Sequence, residues 1–234
     1  MAKTIKRKDK IAVFDIDGTI FRSSLLIEFM EALVLEKVIS RQAAKSWEKE
    51  YLSWLERKGT YQDYLDQVVW ASRHYIKGVS QFKVWEIAKK VVAFHKSRVY
   101  RFTRDLVKEL KPTHYLVAIS GSPYDMVSPF CKEFGFDKAY GRIFEIDGKS
   151  RFTGKILYED LIRDKKKLLE RTLVKEGFTL KGSVGVGDTE TDIPFLKMVE
   201  RAIVFNPNEK LYKEARHRGW EIVVERKDVI YRMK

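Results

Sequence analysis

Short runs of apolar residues alternate along this chain with longer segments in which apolar residues recur every three or four positions. The short runs predict buried strands at residues 11–15, 115–120, 183–187 and 202–205. The longer segments predict amphipathic helices at residues 102–111, 124–134, 160–176 and 192–199. Strands that alternate with helices in this way favour an α/β fold built on a parallel sheet.

A hairpin is predicted at residues 144–156, where the sequence reads FEIDGKSRFTGKI. Its centre is the pair Asp147-Gly148, which favours the tight turn between two antiparallel strands. We expect this hairpin to be an accessory to the parallel sheet.

The segment at residues 23–97 has a different pattern, without a proline or a strand-like apolar run. Its apolar residues recur at helical spacing and it holds four of the five tryptophans, which predicts a helical insert with a small core of its own. We therefore expect a helical cap domain at 23–97 and a core domain made of 1–22 and 98–234. An insert that follows the first strand can lie over the carboxyl edge of the sheet, where open α/β sheets bind ligands.

The composition excludes several classes of protein. Hydrophobic residues make up 44% of the 234 residues, which is enough for a buried core and too much for a disordered chain. The single cysteine, Cys131, and four widely separated histidines argue against a disulfide scaffold and a zinc site. No apolar run approaches the roughly 20 residues that cross a bilayer, and the charged N-terminus lacks the apolar stretch of a signal peptide. We expect a soluble, cytoplasmic protein that does not contact a membrane.

The chain carries 46 basic and 33 acidic residues, so its formal net charge is +13. Such an excess is one mark of a nucleic-acid-binding protein when the bases cluster on one face. Here the bases are scattered among acids, and the one dense group lies at the N-terminus, at Lys3, Lys6, Arg7, Lys8 and Lys10. We interpret this group as a solvated chain end. A nucleic-acid partner stays open as an alternative, as does the oligomeric state.

Polar residues follow the predicted strands at the points where the strands end. They comprise four aspartates and a serine with its glycine, at Asp15, Asp17, Ser120, Gly121, Asp188 and Asp192. A lysine cluster at 165–167 belongs to the same set and lies in the helix predicted near Asp160. Converging carboxylates repel one another, and we expect Mg²⁺, a hard cation with oxygen ligands, to relieve that repulsion. Together with a hydroxyl, a backbone amide and a lysine, the cation makes a receptor for a phosphate dianion. This set suits phosphoryl transfer through an aspartate nucleophile.

At these residues the sequence resembles the haloacid dehalogenase (HAD) superfamily of hydrolases, and within it the phosphoserine phosphatase-like branch, subfamily IB. Asp15-Ile16-Asp17-Gly18-Thr19 resembles motif I, DxDGT, and Gly187-Asp188-Thr189-Glu190-Thr191-Asp192 resembles motif IV, GDxxxD. Ser120 matches the motif II serine and Lys165 the motif III lysine. Asn206-Pro207 and the run KLYKEARHRGW at residues 210–220 are also typical of that branch, so that the resemblance covers residues 11–21 and 99–220. It implies a Rossmann-like parallel sheet with an inserted, all-helical C1-type cap.

The resemblance also implies how the aspartates act. Asp15 attacks phosphorus and becomes an aspartyl phosphate, while Asp17 acts first as general acid and then as general base. The cofactor is Mg²⁺, bound by Asp15, the backbone carbonyl of Asp17, and Asp188, with Asp192 in a supporting role.

The phosphoryl oxygens are held, by the same resemblance, by Ser120, the Gly121 amide and Lys165. The implied protein is a Mg²⁺-dependent phosphatase that hydrolyses a small phosphomonoester. A phosphatase or binding protein that acts on nucleic acid through the basic surface is one alternative. A catalytically silent scaffold with the same fold is the other.

The choice of substrate depends on the cap. In phosphoserine phosphatases a cap glutamate nine residues after the nucleophile recognises the substrate ammonium, whereas this chain has Ser24 there and its nearest acid is Glu28. Ser24 and Glu28 are therefore candidate specificity residues. The expected partner is a small phosphorylated metabolite. The departure at Ser24 argues against phosphoserine, and amino-alcohol, polyol and phospholipid head-group phosphates are equally compatible with the sequence.

Overall fold

An eight-stranded sheet forms the centre of this protein, for which a computed structural model describes residues 8–233. Within this range the strands are β1 (Lys10–Phe14), β2 (His114–Pro123), β3 (Lys138–Ile146), β4 (Phe152–Leu157), β5 (Val184–Gly187), β6 (Arg201–Phe205), β7 (Glu221–Arg226) and β8 (Val229–Met233). The helices are α1 (Leu25–Leu35), α2 (Gln42–Leu55), α3 (Tyr61–Tyr75), α4 (Gln81–His95), α5 (Arg101–Leu110), α6 (Tyr124–Phe134), α7 (Glu159–Arg163), α8 (Lys165–Glu176), α9 (Ile193–Leu196) and α10 (Glu209–Arg218).

The strands follow the order β4-β3-β2-β1-β5-β6-β7-β8 across the sheet. The six inner strands are parallel, and β4 and β8 pair antiparallel at the two edges. Strand β1 lies at the centre, where Val13 is in register with Val117 of β2 and Gly185 of β5. The predicted α/β fold with a parallel sheet is confirmed.

Each face of the sheet buries its own apolar cluster. In β1, Ala12 and Phe14 belong to the cluster on one face, and Ile11 and Val13 belong to the cluster on the other. All four side chains are fully buried. A strand covered on both faces reads as a continuous apolar run, which is why β1 could be predicted from the sequence.

The hairpin at 144–156 belongs to the sheet and is not an accessory to it. Its turn forms as predicted, because the Asp147 side chain accepts hydrogen bonds from the amides of Lys149 and Arg151, at 2.8 Å and 3.0 Å. Its first strand, β3, begins at Lys138 and pairs parallel with β2 before it pairs antiparallel with β4. The prediction missed the start of β3, and also β7 and β8, because charged residues interrupt the apolar pattern of these outer strands.

The helix predicted at 160–176 is broken into α7 and α8 at Asp164. Asp164 leaves the helical conformation, and its side chain accepts a hydrogen bond from the amide of Lys167 at 3.1 Å, which caps α8. Lys165 is therefore the first residue of a helix. The segment predicted as a helix at 192–199 forms a 3-10 turn (Glu190–Asp192) followed by the single turn α9.

Four helices, α1 to α4, occupy most of the segment predicted as a helical insert. Their buried residues form one continuous cluster with one face of the sheet, so the expectation of a separate small core is wrong. The two ends of the segment meet, because the amide of Arg22 donates to the carbonyl of Arg98 at 3.0 Å. The division into 1–22, 23–97 and 98–234 stays a prediction.

The composition raised two questions, the position of the basic N-terminal residues and the presence of a membrane-spanning helix. Lys3, Lys6 and Arg7 lie outside the described residues, while Lys8 donates to Asp137 at 2.6 Å and Lys10 begins β1. Of the helices within residues 8–233, none is long and apolar enough to cross a membrane.

Candidate active site

Three carboxylates converge at the carboxyl edge of the sheet. Asp15 follows β1, Asp188 follows β5, and Asp192 ends the 3-10 turn after that strand. Because β1 and β5 are parallel neighbours, their ends meet, and one oxygen of each aspartate lies within 4.8 Å of the others. The sequence predicted this convergence.

Lys165 bridges two of these carboxylates from the first position of α8. Its Nζ donates to Asp15 Oδ1 at 2.6 Å and to Asp192 Oδ1 at 2.5 Å. Burial alone would lower the pKa of Lys165, but the charges of Asp15 and Asp192 outweigh it and raise that pKa above its usual value. Lys165 is therefore a fixed positive charge at the base of the cluster.

The positive charge of the protein near the cluster is too small to offset the burial and mutual repulsion of its carboxylates. Burial, which outweighs the opposing charge of Lys165, raises the pKa of Asp15 to about 7. Burial and then the charges of Asp15 and Asp192 raise the pKa of Asp188 well above its usual value. Asp15 Oδ2 is buried without a hydrogen-bond partner. An orphaned carboxylate oxygen beside a second under-compensated carboxylate fits a hard divalent cation with oxygen ligands.

Asp192 was predicted to support the metal site, and it also holds the loop that follows β5. Besides its contact with Lys165, its Oδ2 accepts hydrogen bonds from the amides of Asp188 and Thr189, at 3.0 Å and 3.1 Å. Asp192 thereby fixes the loop that carries Asp188.

The Asp17 carboxylate faces the start of α1 and the end of β2. Oδ1 accepts from the Leu25 amide at 2.5 Å and from Ser122 Oγ at 3.0 Å, and Oδ2 accepts from Ser120 Oγ at 2.5 Å. The Ser122 hydroxyl also accepts from the amide of Leu26 at 2.9 Å, so Ser122 connects β2 to α1. Three donors hold Asp17 in one orientation.

A cavity of about 420 Å³ opens above these residues. Gly121 lines this cavity, whereas Ser120 is completely buried beneath it with its hydroxyl directed at Asp17. The floor carries the predicted residues Asp15, Asp17, Lys165 and Asp188.

Helix α3 forms the opposite wall of the cavity. Its contributions recur at helical spacing and include Tyr61, Gln62, Leu65, Asp66 and Val69. Burial, and then the charges of Asp17 and Asp188, raise the pKa of the Tyr61 phenol, so Tyr61 lies close enough to sense the acids on the floor. The sequence placed a helical segment over this edge but did not identify α3.

The two candidate specificity residues occupy different environments. Ser24 is buried and lines the cavity. Glu28 does not line it, because its carboxylate pairs with His95 Nε2 at 3.2 Å and with Arg98 Nη1 at 2.6 Å. Glu28 thus connects α1 to the end of α4 and to the chain that returns to the sheet.

Two arginines in the cavity wall were missed by the sequence interpretation. Arg142 comes from β3 and Arg163 ends α7. The signal that could have found Arg142 is the pair Gly141-Arg142 in a strand that follows the motif II segment. The register of β3 against β2 places Arg142 opposite Pro123.

Gly18 packs directly against the acid cluster, so a substitution there can test the position of Asp188. Its φ is +82°, and a Cβ added there would lie 2.0 Å from Asp188 Oδ2. We expect Gly18→Ala to displace Asp188 and to lower the apparent affinity for Mg²⁺ at least about tenfold, in both activity and stability. Titration of Mg²⁺ against the melting temperature measures this.

Gly177→Ala is the matched control for that substitution, because φ is +72° and nothing lies within 4 Å of the added Cβ. It should cost about 1–2 kcal/mol of stability from the backbone alone and leave the Mg²⁺ response unchanged. An unaltered Mg²⁺ response in Gly18→Ala would contradict the close packing of Asp188 against this turn.

Comparison with known proteins agrees with this geometry. The family model described as haloacid dehalogenase-like hydrolase matches residues 12–197. The chain belongs to this family. The predicted superfamily is therefore confirmed, and the aspartates described above lie within the matched residues of this HAD-like hydrolase.

Two curated relatives of the HAD-like hydrolase are phosphoserine phosphatases. It is 31% identical over 140 residues to phosphoserine phosphatase SerB1 of Mycobacterium tuberculosis, a match that covers 58% of this chain and 44% of that protein. It is 25% identical over 228 residues to phosphoserine phosphatase of Methanocaldococcus jannaschii, which covers 96% of each chain. The chain thus spans less than half of the first relative's length.

A solved phosphoserine phosphatase, captured as a phospho-aspartyl intermediate analogue, has a similar fold. The TM-score is 0.62 at 24% identity, and the match covers 95% of the HAD-like hydrolase and 96% of that chain. This likeness shows the fold, and the curated phosphoserine phosphatase relatives confirm the branch predicted from the motifs.

Proposed function

We propose that this HAD-like hydrolase is a Mg²⁺-dependent phosphatase that hydrolyses a small phosphomonoester through an aspartyl phosphate on Asp15. The observation that supports this most directly is the environment of Asp15. Its Oδ1 contacts Lys165, its Oδ2 is buried without a partner, and Asp188 lies beside it at the floor of the cavity. A carboxylate in that position can face both a cation and a phosphorus atom.

The donor set fits the metal that the proposal requires. Asp15 and Asp188, with the backbone carbonyl of Asp17, would hold Mg²⁺, and Asp192 would fix the loop of Asp188. A bound Mg²⁺ supplies positive charge that offsets the repulsion between an anionic nucleophile and an anionic phosphate.

In the first half of the reaction an oxygen of Asp15 attacks phosphorus and the bond from phosphorus to the ester oxygen breaks. Lys165 holds the nucleophile and offers its one remaining N–H donor to a phosphoryl oxygen, and the Gly121 amide is available at the cavity wall. Because Lys165 is fixed by two carboxylates, its charge needs no reorganisation as the reaction proceeds.

Asp17 moves the proton in both halves of the reaction. As an acid it gives its proton to the leaving alkoxide, and as a carboxylate it takes a proton from the water that attacks the aspartyl phosphate. The hydroxyls of Ser120 and Ser122 and the Leu25 amide keep its oxygens in place. Water then releases inorganic phosphate, and both Asp15 and Asp17 return to their starting forms.

The first test is hydrolysis of p-nitrophenyl phosphate with and without Mg²⁺. We expect turnover with Mg²⁺ and at least about a 10³-fold loss after EDTA treatment, because the site's own charge leaves Asp15 and Asp188 under-compensated. Readdition of Mg²⁺ should restore activity and should raise the melting temperature, since a ligand that binds only the folded state stabilises it.

A broad panel of phosphomonoesters completes this test. Absence of hydrolysis across the panel, in protein whose melting temperature still rises with Mg²⁺, would favour the catalytically silent scaffold. Activity that survives EDTA would contradict the metal dependence.

A further inference from the structure

Tyr61 brings a hydroxyl group to the cavity from the wall that faces the acids. It is the first residue of α3, and its side chain lines the cavity together with Asp17 and Asp188. Within residues 8–233 the contacts of Tyr61 are those of its ring with Trp54 and Tyr64, and its hydroxyl has no hydrogen-bond partner there. The side chain is partly exposed, so this hydroxyl is available to a ligand in the cavity.

The other side chains that α3 directs to the cavity are less suited to hold an anion. The amide nitrogen of Gln62 donates to the carboxylate of Asp66 at 2.8 Å, and that carboxylate would repel an anion. Leu65 and Val69 are apolar. Of these five α3 side chains, Tyr61 is the one that carries a hydroxyl.

Aromatic packing fixes the ring of Tyr61. The Trp54 ring of α2 lies 5.3 Å from it, and the Tyr64 ring of α3 lies 6.1 Å from it in an edge-on arrangement. Trp54 and Tyr64 also stack on each other at 6.1 Å. Because the ring is held by its neighbours before a ligand arrives, little further side-chain entropy is lost when its hydroxyl forms a hydrogen bond.

The far end of α3 is attached to the sheet. Beyond the last turn of the helix, the Gly78 amide donates to the carbonyl of Phe152 at 2.7 Å, and the Phe152 amide donates to the carbonyl of Val79 at 3.0 Å. Arg73 in the last turn pairs with Glu159 at 3.0 Å. Tyr61 therefore belongs to a helix that is fixed at both ends, which is the kind of element that holds a functional group precisely.

Tyr61 approaches the floor of the cavity from a different side than Lys165 does. Lys165 donates directly to Asp15 at 2.6 Å. The acids whose charges act on the Tyr61 phenol are instead Asp17 and Asp188, which add to the effect of burial and raise its pKa. The phenol thus keeps its proton and can donate it to an anionic oxygen bound between the two walls.

We propose that the Tyr61 hydroxyl donates a hydrogen bond to the transferred phosphoryl group, which makes Tyr61 a catalytic residue contributed by α3. The inference rests on the proposed function for the reaction itself. A phosphoryl group above Asp15 has three non-bridging oxygens, and the floor offers it one free donor of Lys165 and the Gly121 amide. Tyr61 adds a donor from the opposite wall. A donor that is already in place stabilises the charge of these oxygens in the transition state.

Tyr61→Phe tests this inference, because it removes the hydroxyl and keeps the ring. We expect kcat/KM for p-nitrophenyl phosphate with Mg²⁺ to fall about 10- to 100-fold, the range of a hydrogen bond to a charged group. The affinity for orthovanadate, which mimics the phosphoryl group during transfer, should fall by a similar factor when it is measured by calorimetry with Mg²⁺. The melting temperature should stay within about 1 °C of that of the unaltered protein, because the hydroxyl has no partner within residues 8–233.

Tyr64→Phe is the matched control. Tyr64 belongs to the same helix and the same aromatic cluster, but it is buried and does not line the cavity. Its loss of a hydroxyl should leave kcat/KM and the orthovanadate affinity within about twofold. A second substrate, glycerol 3-phosphate, should show the same loss in Tyr61→Phe as p-nitrophenyl phosphate, since the two share only the phosphoryl group.

Three outcomes overturn the inference. Unchanged orthovanadate affinity in Tyr61→Phe would show that the hydroxyl does not bind the phosphoryl group. A loss confined to one of the two substrates would assign the hydroxyl to the leaving group. Equal losses in Tyr61→Phe and Tyr64→Phe would assign the effect to packing of the aromatic cluster. Failure of the proposed function appears separately, as absent hydrolysis of every phosphomonoester by the unaltered protein, in which orthovanadate binding can still be compared between the variants.

Discussion

Replacement of Asp15 by asparagine is expected to lower turnover of every phosphomonoester by about 10⁴-fold or more, because it removes the proposed nucleophile of the reaction. The fold should survive the change. Burial raises the pKa of Asp15 from 3.8 to about 7, so its ionised form is disfavoured in the folded protein without metal. An asparagine of nearly the same shape carries no such penalty.

The sign of this effect predicts a pH dependence. An aspartate whose folded-state pKa is raised weakens the metal-free fold as pH rises across the window from 3.8 to about 7. In EDTA at pH 8 the Asp15→Asn variant should therefore be at least as stable as the unaltered protein. Its stability should also fall less than that of the unaltered protein between pH 4 and pH 8.

Urea unfolding with and without Mg²⁺, together with steady-state hydrolysis, measures both expectations. Asp125→Asn is the matched control, because burial raises the pKa of Asp125 too, while that residue lies outside the acid cluster. It should keep its activity within a few-fold. Full activity of Asp15→Asn would refute the mechanism proposed for this enzyme.

The acid cluster could be predicted because it depends on local sequence and on one simple property of parallel sheets. Apolar runs that end in Asp15 and Asp188 read as buried strands, and parallel neighbours bring their carboxyl ends together. The motifs then identified the residues in each loop.

The walls of the cavity could not be predicted in the same way. Arg142 reaches the site only because β3 pairs with β2 in one register and because Gly141 allows the two strands to touch. Both conditions are tertiary, and the apolar pattern of β3 is interrupted by charge. The contribution of α3 likewise depends on how the helices pack, which periodicity does not determine.

Glu28 illustrates a second limit. It is near Ser24 in sequence, and one helical turn could have carried it into the cavity. In the structure His95 and Arg98 approach from the far end of the insert and take its carboxylate, at 3.2 Å and 2.6 Å. The position of the Glu28 carboxylate is determined by its ion-pair partners, which are about seventy residues away in the sequence.

Lys165→Met is expected to have the other large effect, on stability as well as on catalysis. Lys165 is buried between Asp15 and Asp192, and both ion pairs are nearly free of solvent. Removing one member of a buried ion pair leaves uncompensated charge and costs about 3–5 kcal/mol. We expect a loss of this size in EDTA at pH 8, together with at least a ~10²-fold loss of turnover from missing charge at the phosphoryl group.

Two measurements separate a loss of charge from a simple packing defect. They are the pH dependence of the stability of Lys165→Met and its response to metal. Added Mg²⁺ should recover part of the stability of Lys165→Met by replacing the missing positive charge, and acidification should do the same by protonating the carboxylates. Lys166→Met is the matched control: its Nζ lies 3.7 Å from Glu170 in an exposed pair, so the expected loss is below about 1 kcal/mol. If Lys165→Met unfolds at the same urea concentration as Lys166→Met in EDTA, the three carboxylates do not depend on Lys165. Equal losses with and without Mg²⁺ would mean that packing of the lysine chain, and not its charge, stabilises the site.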